Sequence, residues 1–484
     1  MGVYRRTRRR PATPGKPPAG PAATAKRNPS RRADVPRRTA YDVLAAVEQR
    51  EAYANLLLPR LLAERNVTGR DAALATELTY GTLRGLGTYD AVLAACSDRP
   101  LGKLDPPVLQ VLRLGAHQLL ATRVSAHAAV ATSVDLARAV AGPRVSGYVN
   151  AVLRRVATRD AEQWLAIAAP APDADPDGHL SVRHSYPRWI VAAYRDALGP
   201  AAGELADALA AGNARPRITM AAFPGGAARE EIMPAGSEPG RWSPYAFTLA
   251  GGDPSWLTAG GRAAVQDEAS QLAAIALSRV PLEGAGGRDD AWLDMCAGPG
   301  GKARMLYGLA RGADARLLAA DAHPHRAGLV KTALGTAAGP DAAVVVADGR
   351  RPAWRDAGFG RVLVDVPCSG LGALRRRPEA RWRKSEGDLA ELGELQRSLL
   401  RSALAAARPG GAVAYVTCSP VPAETSDVVT AVAGGEDGAE ILDAPAVLPE
   451  VPGLRSPDPR FAQFWPHRHG TDAIFIALLR RAAS

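Results

Sequence analysis

Four hundred and eighty-four residues allow about three domains at roughly 150 residues each, so a small stapled secreted module is excluded. Hydrophobic residues make up 47% of the chain and charged residues 23%, ordinary globular usage that excludes a largely disordered protein. The net charge of +11 is concentrated: residues 1–38 hold twelve Lys plus Arg against the single acid Asp34, and the rest of the chain is formally neutral.

In chain order, the segment 1–38 also holds seven prolines and few large apolar residues. It cannot offset its ordering entropy and is expected to be a disordered basic tail. Such a tail is either a solubilising arm or an electrostatic arm for RNA. Residues 39–165 read as consecutive amphipathic helices, with Val108, Val111, Leu112, Gly115 and Leu119 on one stripe after the starter Asp105-Pro106-Pro107. Prolines and acids break every periodicity around 169–177, giving a linker at 166–183. Short helices and a strand at Ile218 to Ala222 suggest a small α+β subdomain over 184–252.

Over 253–484 the pattern becomes strand, helix, strand. Apolar runs at 291–295, 316–320, 342–347, 361–366 and 412–417 predict a parallel, doubly wound sheet with helices on both faces. Ligands of such sheets sit beyond the carboxyl ends of the strands. The chain has four cysteines, at 96, 296, 368 and 418, too scattered for a disulfide framework, and it lacks a long apolar run or a signal-peptide core. A soluble, cytoplasmic protein with no membrane partner is the expectation.

The first strand runs into Cys296-Ala297-Gly298-Pro299-Gly300-Gly301-Lys302, where glycines let the backbone approach a ligand and a following helix presents unpaired amides. This loop is neither a dinucleotide nor a nucleoside-triphosphate signature. Asp321 closes the second strand and Asp348 the third; acids on successive strand ends suit a ribose and a base. The fourth strand ends in Asp365-Val366-Pro367-Cys368-Ser369-Gly370 and the fifth in Thr417-Cys418-Ser419. Adjacent fourth and fifth strands would bring two thiols and a carboxylate together beside a nucleoside-type cofactor. A free cysteine is usually a small core hydrophobe, but two at functional strand ends point to chemistry.

These motifs, with Gln266-Asp267-Glu268-Ala269-Ser270-Gln271-Leu272 before them and Trp465-Pro466-His467-Arg468-His469-Gly470-Thr471-Asp472 after them, closely resemble the Sun (Nol/Nop/Sun, Fmu) family of S-adenosylmethionine-dependent RNA cytosine-C5 methyltransferases. Ala40-Tyr41-Asp42-Val43-Leu44 and Tyr148-Val149-Asn150-Ala151-Val152-Leu153-Arg154 resemble the NusB-like RNA-binding domain fused to the family's bacterial small-subunit rRNA member. The resemblance implies a multi-domain chain: an all-α NusB-like bundle, then an α/β, Rossmann-like class I methyltransferase domain. It implies Cys418 as nucleophile, Cys368 as the cysteine that assists product release, and Asp365 shared between substrate base and cofactor. Residues Cys296 to Lys302 would line S-adenosylmethionine, with Asp321 on its ribose and Asp348 near its adenine.

The chain departs from the family at Phe359-Gly360-Arg361, where an acid commonly replaces Gly360 and a local capping contact should be lost, and at Ala423-Glu424-Thr425, where the family often has Glu-Glu-Asn. The implied substrate is 16S rRNA, with a monomeric enzyme and no metal. A tRNA enzyme of the same family and a catalytically silent assembly factor are the alternatives. Arg375, Arg376, Arg377, Arg381 and Lys384 follow the Cys368 loop and are candidate phosphate contacts. His467 and His469 lack further ligands at metal spacing.

Overall fold

The computed structural model describes residues 34–283, 288–335, 339–435 and 438–482. Most of the basic tail, residues 1–33, lies outside the described residues. The helix Val35–Arg50 begins within the span assigned to that tail, because Asp34 accepts a hydrogen bond from the Arg37 amide at 2.9 Å and Pro36 occupies the first turn. Proline is tolerated there since its missing N–H would have been unpaired anyway.

The helices Gly69–Arg84, Pro106–Ala121, Ala126–Ala141 and Ser146–Val156 pack with it around Leu44, Leu78, Leu112 and Leu153. Gly115 belongs to the expected stripe for a steric reason: a Cβ there would lie 2.7 Å from Leu153 Cδ1. Ahead of the stretch read as a linker, Asp160 and Gln163 form a capping box for Ala161–Ala168, and the second half of that stretch is itself helix, Pro176–His184, which Asp175 caps by accepting from the Gly178 amide.

A four-stranded antiparallel sheet follows, built from β1 (Thr219–Ala222), β2 (Glu238–Pro239), β3 (Ala246–Thr248) and β4 (Ala263–Val265) in the order β2-β3-β1-β4. Its last strand falls beyond residue 252, so the small subdomain extends further than the sequence pattern indicates.

The large sheet contains β5 (Ala291–Asp294), β6 (Arg316–Asp321), β7 (Ala342–Val346), β8 (Phe359–Asp365), β9 (Ala407–Thr417), β10 (Ala439–Leu442), β11 (Ala462–Gln463) and β12 (Phe475–Arg481). Its order is β10-β12-β9-β8-β5-β6-β7, with β11 paired to β12. Strands β5 to β9 are mutually parallel, so their carboxyl ends share one edge. The contact expected to be lost at Gly360 is supplied from elsewhere. Arg361 pairs with Asp289 at 2.9 Å and donates to the carbonyls of Leu277 and Val280 at the end of the helix Glu268–Arg279. A Cβ on residue 360 would come within 3.0 Å of Asp289 Oδ1, leaving no room for a second acid.

Residues 371–383 strap the domains together. Glu379 accepts from the Ala54 amide at 3.1 Å, and Arg383 donates to the carbonyls of Val47, Glu51 and Ala52. Arg381 is 0% exposed, stacks 3.9 Å from the Tyr186 ring centroid, and donates to Ser185 O and Asn213 Oδ1.

Candidate active site

The order of the parallel strands sets the order of side chains along their common edge: Cys418 after β9, Asp365 at the end of β8, Asp294 at the end of β5, Asp321 at the end of β6, and Asp348 just past β7. Asp365 pairs in register with Val416, which brings the two cysteine loops side by side. Cys368 Sγ and Cys418 Sγ are 3.2 Å apart.

A buried carboxylate holds that approach. Glu424, 0% exposed, accepts from the Ser369 amide at 2.7 Å, the Ser369 hydroxyl and Gln396 Nε2, while its own carbonyl accepts from Tyr415 Oη. Gly372 completes the stitching, donating to Cys418 O at 2.8 Å and accepting from the Ala473 amide at 2.9 Å. Glu424 was absent from the sequence-derived site; its neighbours Ala423 and Thr425 drew attention as departures from a pattern, and the acid between them did not.

Lys302 donates to Asp365 Oδ2 at 2.8 Å. Burial works against its ammonium, but Asp365, Cys418 and Asp294 outweigh that and hold its pKa above the ordinary value. The Cys368 thiol is pushed well up by its hydrogen bond to Cys418, then by burial and the charges of Glu424 and Asp365. Burial and three nearby carboxylates, Asp294, Asp365 and Asp321, push the Cys296 thiol up as well.

The loop from Cys296 to Lys302 is shaped as a cradle. A Cβ on Gly298 would sit 2.5 Å from Asp321 Oδ2, and Gly300, at φ +115°, would meet Ala333 Cβ at 2.5 Å. Asp321 Oδ2 accepts from the Gly298 amide at 3.1 Å and Oδ1 from the His323 amide at 2.9 Å, leaving lone pairs for hydroxyl donors. Pro299 is exposed at the loop's tip, and Ala297 is buried under it. Asp348 is turned to Arg350, whose side chain holds its carboxyl below the ordinary value.

Asp294 was also missed. It is 0% exposed, and both its oxygens lack any hydrogen-bond partner. Burial, reinforced by Asp365, raises its pKa to about 8. Such an orphaned pair of acceptors beside a glycine cradle fits a polar cofactor. The signal was present as the acid in Leu293-Asp294-Met295.

Three of the five candidate phosphate contacts are corrected by their surroundings. Arg375 and Arg376 are locked in a knot with Asp267 and Asp472, the Asp267 contacts both at 2.8 Å, and Arg381 is fully enclosed. The acids lie far away in sequence, so the run reads as solvated when its partners are not yet folded beside it. Arg377 is exposed and stacks over Tyr53 at 5.4 Å, and Lys384 is half-buried. His469 Nδ1 accepts from the Trp465 amide, and His467 pairs with Glu204 at 2.8 Å.

Comparison with known proteins agrees with this geometry. The model of the family "16S rRNA methyltransferase RsmB/F" matches residues 285–480, and that of the NusB family matches residues 34–158. The protein named "Putative methyltransferase Rv1407" of Mycobacterium tuberculosis (strain H37Rv) is 49% identical over 94% of this chain and 98% of its own length. Ribosomal RNA small subunit methyltransferase B of Pseudomonas putida (strain KT2440) is 32% identical over 93% of this chain and 99% of its own. The crystal structure of PH0851 shares the fold at a TM-score of 0.75 and 22% identity, covering 93% of this chain and 100% of that one. Among the described residues no helix is long and apolar enough to cross a membrane. With full-length relatives, a matching catalytic domain and a NusB-family domain ahead of it, the chain belongs to the RsmB/F family and is an S-adenosylmethionine-dependent RNA methyltransferase.

Proposed function

We propose that the protein methylates C5 of a cytosine in 16S rRNA through a transient bond between Cys418 Sγ and C6 of the base. The observation that carries this reading is the pair of thiols 3.2 Å apart beside the Lys302–Asp365 ion pair. C5 of cytosine is a poor nucleophile until a thiolate adds at C6 and makes it enamine-like. Lys302 stabilises negative charge on Cys418, and the protonated Cys368 donates toward the same sulfur. Asp365, at the strand end between thiol and cofactor loop, is positioned to hold the proton that N3 gains as negative charge develops on the ring.

Bound S-adenosylmethionine supplies an electrophilic methyl on a sulfonium. Residues 296–302, Asp321 and Asp294 would hold it, with Asp348 toward its base. Solvent water takes the C5 proton, the C5–H electron pair restores the aromatic ring, and the C6–S bond breaks to release Cys418 Sγ as a thiolate, which the hydrogen-bonding thiol of Cys368 stabilises.

Cys418→Ala should abolish methylation and form no adduct, while Cys368→Ala should attack and methylate but stall before elimination. Denaturing electrophoresis with rRNA and the methyl donor reads the adduct as a slow, RNase-sensitive band. A band from Cys418→Ala and none from Cys368→Ala would exchange the two roles; full activity in both variants would sink covalent catalysis. Bisulfite sequencing of 16S rRNA from cells with and without the protein identifies the base.

A further inference from the structure

A cavity of about 440 Å³ lies between the helical domain and the segment that leads into β1. Its lining joins the apolar Val92, Leu120, Ala161 and Leu165 with Arg84, Arg183, Arg215, His184 and one acid, Glu77. Neither Arg84 nor Arg215 makes a hydrogen bond or an ion pair within hydrogen-bonding reach among the described residues. Arg84 lies over the Tyr80 ring at 5.5 Å, and its Nε is buried without a partner. Burial lowers its pKa, and Arg215 and Arg381 press it further in the same direction against the opposing pull of Glu77.

Another lining residue, His117, repeats the pattern. His117 is 2% exposed, bonds Tyr89 Oη through Nδ1 at 2.9 Å, and leaves Nε2 without a hydrogen bond, 3.6 Å from Glu77 Oε1. His184 is held neutral at pH 7 by burial and by Arg183, with a pKa of about 4. A partly buried guanidinium left unpaired is costly, and a phosphoryl group is the anion whose geometry its fork matches. The volume falls within the roughly 300–1,000 Å³ usual for small-ligand sites. Apolar side chains and two arginines without hydrogen-bond partners lining one cavity suit a base and its phosphate together.

We propose that this cavity binds one nucleotide of a single-stranded RNA segment, with the phosphoryl group on Arg84 and Arg215 and the base against the Leu120 and Leu165 wall. The inference rests on RNA being the substrate, and a free mononucleotide presents the same chemistry. The site would anchor the RNA on the helical domain, away from the thiols.

The test uses the full chain and the variants Arg215→Gln, whose exposed side chain can be lost without disturbing packing, and Arg84→Gln. Each should weaken binding of a labelled single-stranded RNA about tenfold near 0.1 M salt and reduce the salt slope by about 0.7. Affinity for S-adenosylhomocysteine should not change in either variant, nor the melting temperature of Arg215→Gln. AMP binding, followed by ligand-observed NMR, separates the sources. Loss of AMP binding with RNA affinity intact overturns the RNA assignment in favour of a free nucleotide. Unchanged RNA affinity, salt slope and AMP binding in both variants overturns the site altogether. Methyl transfer to rRNA is scored separately: no transfer by a wild type whose RNA binding still depends on Arg84 and Arg215 would defeat the functional reading and leave the cavity assignment standing.

Discussion

Asp294 ties the active site to pH. Its carboxyl keeps its proton up to about pH 8 in the folded chain, against an ordinary value of 3.8. The folded state therefore binds a proton that the unfolded chain has lost, and the stability from this carboxyl is full below about pH 4 and disappears as pH rises toward 8. The slope is up to about 1.4 kcal/mol per pH unit. Asp294→Asn should flatten it, so urea midpoints of the ligand-free wild type should fall more between pH 5 and pH 8 than those of the variant. Parallel curves would show that the carboxyl ionises freely. The knot at Arg375 offers a second check at this scale. Arg375→Met would leave Asp267 and Asp472 sharing Arg376 alone, and removing one partner from a buried ion-pair cluster costs about 3–5 kcal/mol. A normal melting temperature with weakened RNA binding would restore Arg375 to the RNA surface. Residue position was legible in the sequence where a motif is local: Asp365, Cys368 and Cys418 stand at or just past strand ends that periodicity located, and Lys302 opens the helix after β5. Arg375 and Arg381 were misread because their partners lie about a hundred residues or more away.

At the scale of elements, the site depends on how closely the loop after β8 rests on the end of β9. Gly372 has no room for a side chain: a Cβ would lie 1.9 Å from Ala473 O and 2.8 Å from Cys418 O. Gly372→Ala should push the Cys368 loop away from Cys418 and lower methylation by about a hundredfold, the scale of a 1 Å misplacement. Binding of S-adenosylhomocysteine, measured by calorimetry, should be retained because the cradle at 296–302 belongs to other strands. Retained activity would mean that the thiol separation is not set by this contact. The same level explains which elements could be foreseen. Parallel strands announce themselves as apolar runs, and the five expected runs overlap β5 to β9, even at the edge strand β7, which is only partly buried. The helix Pro176–His184 did not announce itself, because Asp175 and Pro176 serve equally in a helix start and in a linker. The two-residue strands β2 and β11 carry too few side chains to show a period.

Across the whole molecule, the strap at 371–383 makes the domains depend on one another. Arg381 fills the junction between Tyr186 and Asn213, and Arg383 occupies three carbonyls at the end of the first helix. Contacts of this kind favour a single cooperative transition, in which circular dichroism and tryptophan fluorescence should lose their signals at one temperature. Two separated midpoints would show that the bundle unfolds alone. The bond from the Ala54 amide to Glu379 spans 325 residues, and during synthesis this distance becomes time. At ~5–20 residues per second the ribosome needs roughly 15–65 s to make the intervening chain, and domains generally fold as they emerge. The bundle must therefore form its own core first and wait with the Val47–Ala54 turn uncovered. A stalled chain ending near residue 370 should be cut by protease in that turn, whereas one long enough for the strap at 371–383 to have left the exit tunnel should be protected. The delay makes the early bundle, with its face still open, the stage of the protein's life most exposed to chaperone capture.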